Sequence, residues 1–308
     1  MAITIGIPKA LLYYHYYDLW AHFFEALGCK IIYSPKTNQE ILTAGKKYIV
    51  DESCLAMKIY MGHLEYLSQS CDYLLIPHLE RLNKKEEMCT NFYALHDLAT
   101  TSFKAKILCY HIDAMRHQTE LKAFLKMGQT LGFSKKISKE AYDDAIAKAT
   151  SLKLEKINAN QDLCQQQNLK ILLVGHPYNL DDELIGKPVT DYLNKNKITI
   201  IYAHLNDNKP LAYKKISKTL YWSFSKELVN GLALFENKVD GIILLSVFPC
   251  GPDSLVNDIC LRKITKPVIQ IIIDELSASA GLETRLESFI DIIKTQTVMK
   301  WKLLVFHI

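Results

Sequence analysis

Short apolar runs alternating with helix-patterned segments constrain this chain more than any other feature. Residues 3–7, 30–33, 72–77 and 106–110 each read as a strand. Between them the spacing turns helical, as in Leu11, Leu12, Tyr16, Leu19, Trp20, Phe23, Phe24 and Leu27, with Gly28 ending the pattern. Residues 38–47 and 54–67 read as helices, and 95–101 as a short one. The second half repeats the scheme, with strands at 170–175, 198–202, 241–247 and 267–273. Its helices are expected within 181–194 and over 220–236, 252–262 and 281–293. A run as apolar as Gly-Ile-Ile-Leu-Leu-Ser-Val must be covered on both faces, which indicates parallel sheets flanked by helices.

Residues 135–167 change character. They are rich in Lys, Ala, Gln and Asp, and read as one or two connecting helices. The expected fold is therefore α/β, with two doubly wound, Rossmann-like domains and a cleft between them. The boundaries fall at 1–134, a helical connector at 135–168, and 169–308. The stretch 295–308 is less regular, and residues 301–306 read as a candidate final strand.

Of 308 residues 49% are hydrophobic, enough to fill two cores. The net charge of +4 is spread in short pairs such as Lys46-Lys47 and Lys214-Lys215, so no nucleic-acid arm is expected. A modest positive balance suits an anionic partner such as a CoA phosphate. Residues 1–5 read directly as a strand rather than a basic leader, and no apolar run approaches the ~18 residues of a membrane span. The expectation is a soluble cytoplasmic protein without membrane contact. In that compartment eight cysteines favour metal binding, redox chemistry or burial over disulfides.

Three of those cysteines sit in turn-like segments: Cys54 in Asp-Glu-Ser-Cys-Leu, Cys89 in Glu-Met-Cys-Thr-Asn, and Cys250 in Phe-Pro-Cys-Gly-Pro-Asp-Ser. Ligands of open parallel sheets bind beyond the carboxyl ends of the strands, and Cys250 lies at such an end. Gly251 permits close backbone approach there, and Pro252 suits a first helical turn whose amides favour a thiolate. Three thiolates from loops match an iron–sulfur cluster with one open iron position. Cys29, Cys71, Cys109, Cys164 and Cys260 read as buried or connector residues. No Cys-x-x-Cys pair exists, which removes zinc ribbons, thioredoxin motifs and bacterial ferredoxin runs. His63 and His78 are candidates to complete a cysteine-rich zinc site. His176-Pro177-Tyr178-Asn179 follows a strand and is placed to line the cleft. Gly-x-Gly-x-x-Gly and P-loop motifs are both absent, which argues against NAD binding or ATP hydrolysis by this chain alone.

Together, Ile5-Gly6-Ile7-Pro8-Lys9-Ala10-Leu11, Asp51-Glu52-Ser53-Cys54, Gly175-His176-Pro177-Tyr178-Asn179, Cys250-Gly251-Pro252-Asp253-Ser254, and Asp274-Glu275 through Gly281-Leu282-Glu283-Thr284-Arg285 resemble one family. It is the acyl-CoA dehydratase activase-related, or CoA activase, group (DUF2229), related to the 2-hydroxyacyl-CoA dehydratase subunits. The resemblance spans roughly residues 1–293. It implies a 4Fe–4S cluster held by Cys54, Cys89 and Cys250, or a double-cubane 8Fe–9S cluster, charged by an ATP-dependent activator with its own cluster. It further implies acyl-CoA as a ligand and a homo- or heterodimer. Ser53, His176, Tyr178, Asn179, Gly251 and Ser254 become expected cleft residues. Asp274, Glu275 and Arg285 join them at the last strand end. The chain departs from the family pattern at Ala56, Thr90 and Leu276. A non-catalytic accessory or scaffold protein, with zinc or no metal at the cysteines, is the alternative.

Overall fold

The computed structural model describes residues 2–207, 211–276 and 279–305. In the first half, β1 (Thr4–Ile7), α1 (Tyr13–Ala26), β2 (Lys30–Tyr33), α2 (Gln39–Gly45), α3 (Leu55–Leu67), β3 (Tyr73–Arg81), α4 (Thr90–Ser102), β4 (Ile107–Asp113) and α5 (Glu120–Thr130) follow in order. A single long helix, α6 (Lys135–Leu163), then crosses to the second half. There β5 (Lys170–Val174), α7 (Pro177–Leu180), α8 (Lys187–Lys195), β6 (Thr199–Tyr202), α9 (Ser223–Phe235), β7 (Gly241–Val247), α10 (Gly251–Leu261), β8 (Val268–Ile273) and α11 (Ser279–Val305) complete the chain.

The strands form two four-stranded sheets with the same order, β2-β1-β3-β4 and β6-β5-β7-β8, and every pairing is parallel. Each half is a Rossmann-like α/β unit. In each, the connections leave in opposite directions from the first strand and its inner neighbour, so the topological switch points lie between β1 and β3 and between β5 and β7.

Burial explains the arrangement. Ile5, Leu74, Leu75 and Ile76 are fully buried, as are Leu172, Ile242, Ile243 and Leu244 in the second sheet. Trp20, Phe23, Phe24 and Phe124 fill the layer between the first sheet and its helices, each contributing roughly 2 kcal/mol by area removed from water. The main apolar cluster runs through both halves, joining Ile5 and Leu75 to Ile243 and Leu245. The connector α6 lies against α1, where Lys156 meets Asp18 at 2.8 Å. Further along α6, buried Asn160 donates to the carbonyls of Tyr202 and Leu205 and accepts the Tyr202 N–H at 2.8 Å.

Helices α2 and α3 meet backbone to backbone. A Cβ at Gly45 would lie 1.8 Å from the Lys58 carbonyl oxygen, and one at Gly62 would lie 1.9 Å from that of Ile41. Only glycine allows this contact, which fixes the position of α3.

Several expectations need correction. The candidate strand at 301–306 is helical through Val305, because α11 continues the period set by Leu282, Leu286, Phe289, Ile290 and Ile293. Residue 306 lies outside the described residues. β3 runs on to Arg81 rather than stopping at Pro77. β1 pairs with it only as far as Leu74, so one edge is open where the proline lacks its N–H. Helix α4 starts at Thr90, earlier than the spacing indicated, and α5 was not anticipated. Among the described residues, no helix is long and apolar enough to cross a membrane.

Candidate functional site

Cys54, Cys89 and Cys250 occupy one structural position three times over. Each is the N-cap of a helix, α3, α4 and α10 respectively, with extended backbone. Each sulfur therefore faces first-turn amides: those of Met57 and Ala56 for Cys54, Phe92 and Asn91 for Cys89, and Asp253 for Cys250. The Asn91 side-chain amide also donates to the Cys54 sulfur at 3.4 Å.

Two backbone contacts hold the halves together around these caps. The Leu55 N–H donates to the Phe248 carbonyl at 3.2 Å, and the Glu87 N–H to the Tyr221 carbonyl at 2.8 Å. The peptide between Phe248 and Pro249 is cis. All three cysteines line a cavity of about 500 Å³ together with Leu11, Met88, Tyr178 and Trp222. Leu11 follows β1, Cys89 follows β3, Tyr178 follows β5 and Cys250 follows β7. The cavity thus lies where the switch-point ends of the two sheets face each other, the place this topology provides for a ligand.

Burial pushes the Cys54 thiol up, against the opposing pull of the Met57 N–H and the Asn91 amide. Burial pushes Cys89 up to about 11, with the Phe92 N–H opposing it and Cys54 adding to it. Cys250 is raised well beyond the ordinary thiol range by burial and then by the Asp253 carboxylate. The protein alone thus keeps three neutral thiols although three helix ends favour anions. Bringing them to thiolates together requires a cation, and a metal or metal cluster with open positions fits this donor set.

Behind the cysteines, His176 Nε2 lies 2.9 Å from Asp253 Oδ1, and both residues are buried. The His176 ring stacks on Tyr178 at 4.8 Å with planes 9° apart. Burial, followed by the charge of Asp253, keeps the Tyr178 hydroxyl protonated.

The expected cleft residues divide. Ser53, Tyr178 and Gly251 line the cavity, and His176 lines an adjoining pocket with Cys89, Cys250 and Asp253. Asn179 is fully buried, away from the cavity lining. Ser254 is exposed on α10, because the turn after Cys250 directs Asp253 inward and its neighbour outward. Asp274 accepts the Leu276 N–H at 2.8 Å. Glu275 pairs with Lys46 at 3.0 Å and with buried Lys58 at 3.5 Å, which in turn holds the Asp51 carbonyl at 2.8 Å. Arg285 donates to the Gln270 carbonyl at 2.6 Å. The fold does not bring these last five to the cavity. Sequence reasoning passed over Asn91, Met88, Trp222 and Asp253. Only Asp253 carried a signal, the third position after Cys250 in a helix start.

Residues 4–205 match the family described as CoA enzyme activase uncharacterised domain (DUF2229). The chain belongs to that family. The matched region of this CoA activase-related chain contains Cys54, Cys89 and the His176–Tyr178 turn, while Cys250 lies beyond it. A search of curated proteins finds no match. Among solved structures, the chain is similar to the SBP FpvC of Pseudomonas aeruginosa in complex with Mn2+, at 9% identity and TM-score 0.30, covering 96% of this chain and 98% of that one. It is also similar to a sugar transporter from Clostridium phytofermentans, at 13% identity and TM-score 0.20, covering 91% and 84%. Overlaps this loose carry no argument, and the fold rests on the two sheets themselves.

Proposed function

We propose that this protein is an iron–sulfur component of the 2-hydroxyacyl-CoA dehydratase type, with Cys54, Cys89 and Cys250 holding a 4Fe–4S cluster. The observation that carries the reading is the convergence of three helix N-caps, all cysteine, from two facing sheets on one cavity. When bound, such a cluster supplies a low-potential electron and one iron that accepts an oxygen ligand.

The chain's own groups then have defined tasks. The three sulfurs hold the cluster, and the first-turn amides of α3, α4 and α10 donate to them and offset its negative charge. Leu11, Met88, Phe92 and Trp222 wall the cavity and limit water. Tyr178, kept protonated, presents a hydrogen-bond donor at the wall, and the His176–Asp253 pair fixes the ring beneath it. An ATP-dependent activator with its own cluster is the electron donor, and acyl-CoA is the ligand class.

The test is anaerobic purification with iron, acid-labile sulfide and zinc analysis. Iron and sulfide in equal amounts with brown colour are expected. Cys54→Ala, Cys89→Ala and Cys250→Ala should each abolish both, and Cys164→Ala should not. Zinc without sulfide would replace this reading with that of a non-catalytic accessory protein. Colour retained in all three single variants would sink the ligand assignment.

A further inference from the structure

A second group of ligating side chains lies outside the cysteine cavity, on the carboxyl-terminal part of the first sheet. β3 carries His78 and Glu80 where its register against β4 shifts between Leu79 and Arg81, and both side chains reach the same group across that irregularity. The parallel register sets His111 of β4 directly beside His78. One ligating atom from each of His78, Glu80 and His111 lies within 4.8 Å of the others. His111 Nε2 is 3.1 Å from Glu80 Oε1, and His78 Nε2 is 3.7 Å from the same oxygen. The two imidazoles stack at 4.6 Å with planes 16° apart, and His96 of α4 stacks on the outer side of His78 at 5.5 Å.

We propose that His78, Glu80 and His111 bind one divalent first-row transition ion of the zinc type. Two imidazoles and a carboxylate are the donor set of three-ligand sites for such ions, which leave coordination positions for water or a small ligand. Glu80 is buried at 8% exposure, while both histidines are only partly covered, so the group is rooted in protein on one side and reachable from the other. Among the described residues, Glu80 makes no ion pair with a lysine or arginine. The neighbouring Arg81 is turned to Glu87 and Asp113. A buried carboxylate facing two imidazoles gains its counter-charge from a bound cation.

No thiol belongs to the group, so the site is chemically distinct from the cysteine cavity. The two are nonetheless joined by the chain. The Glu80 carbonyl accepts the Met88 N–H at 3.0 Å, and Met88 and Cys89 line the cavity. A metal at Glu80 therefore braces the segment that delivers Cys89.

The test titrates the full-length chain carrying Cys54→Ala, Cys89→Ala and Cys250→Ala with Co2+ and Zn2+, by calorimetry and visible absorption. One equivalent should bind, with cobalt ligand-field bands and no sulfur-to-cobalt charge transfer. Adding His78→Ala, His111→Ala or Glu80→Gln should weaken binding at least about tenfold, since even outer partners of metal ligands are worth 10–100-fold. His96→Phe, which keeps the ring stack, should leave it intact. If the triple variant fails to fold, the unaltered chain serves, because sulfur-bound and nitrogen-bound cobalt differ in charge-transfer absorption. No sulfur-free metal binding to folded protein, or binding unaffected by His78→Ala and Glu80→Gln, overturns the proposal. Failure of the iron–sulfur reading would appear in the sulfide analysis and leaves this outcome untouched.

Discussion

His63→Gln should selectively relieve the acid sensitivity of this fold. His63 is fully buried in α3, with Nε2 3.0 Å from Thr37 Oγ1. Thr37 donates its own proton to Asp182 at 2.5 Å, so the imidazole must donate through Nε2, which fixes the neutral tautomer. Burial, then the charge of Lys9, lowers the His63 pKa from 6.5 to about 3. At pH 7.5 the residue is neutral in both folded and unfolded chains and contributes nothing to pH dependence. As the pH falls below 6.5 the unfolded chain takes up a proton that the folded chain refuses. Stability is therefore present above the unfolded value and is lost on acidification, at about 1.4 kcal/mol per pH unit, until the folded group titrates. At pH 5 the loss from this residue is ~2 kcal/mol, a figure insensitive to the folded value so long as it lies well below 5.

Asp182 works in the opposite sense, because burial raises its pKa, but it is present in both proteins. The assay is urea unfolding of wild type and variant at pH 7.5 and pH 5. The advantage of wild type over His63→Gln should shrink by about 2 kcal/mol on acidification. A gap that stays the same at both pH values would show that folded His63 titrates normally, and the burial argument would fail. The outcome bears on function because His63, Thr37 and Asp182 tie the helix capped by Cys54 to the second half of the chain.

Gly62→Ala should destabilise by about 3 kcal/mol or more in the same unfolding assay, since its Cβ meets the Ile41 carbonyl at 1.9 Å. Gly251→Ala, with open space around the added carbon, should change stability by less than about 0.5 kcal/mol, and an equal loss at both sites would refute the packing account. Asn160→Ala removes three hydrogen bonds from α6 to Tyr202 and Leu205, at and just past the end of β6, and should lower stability by about 3 kcal/mol, with an unchanged midpoint counting against a joining role for α6.

The alternation of strands and helices was legible because each β-run in this chain is short, apolar and punctuated. Residues 241–247 could only be a covered strand, and Gly28 could only end a helix. The C-terminal helix was legible over 281–293, but its last turns were not, because Trp301 and Val305 carry local β-preference that helical continuity overrides. The end of β3 was misread for a related reason. Pro77 is a breaker in isolation, and only the open edge beyond Leu74 makes it tolerable in the strand. With the strand ended too early, the meeting of His78, Glu80 and His111 stayed invisible.

By itself, the sequence determined that two parallel α/β units form and that Cys54, Cys89 and Cys250 stand at turns. Those facts follow from local periodicity and from the chemistry of single residues. Only the tertiary structure decided which side chains meet. It turned three scattered cysteines into three helix caps around one cavity, drew Asp253 inward beside His176, and sent Glu275 to Lys46 and Lys58 instead. It also set His111 beside His78 across a strand pair whose members lie more than thirty residues apart in the chain. Such meetings depend on sheet register and helix packing, which arise between segments and are written in none of them alone.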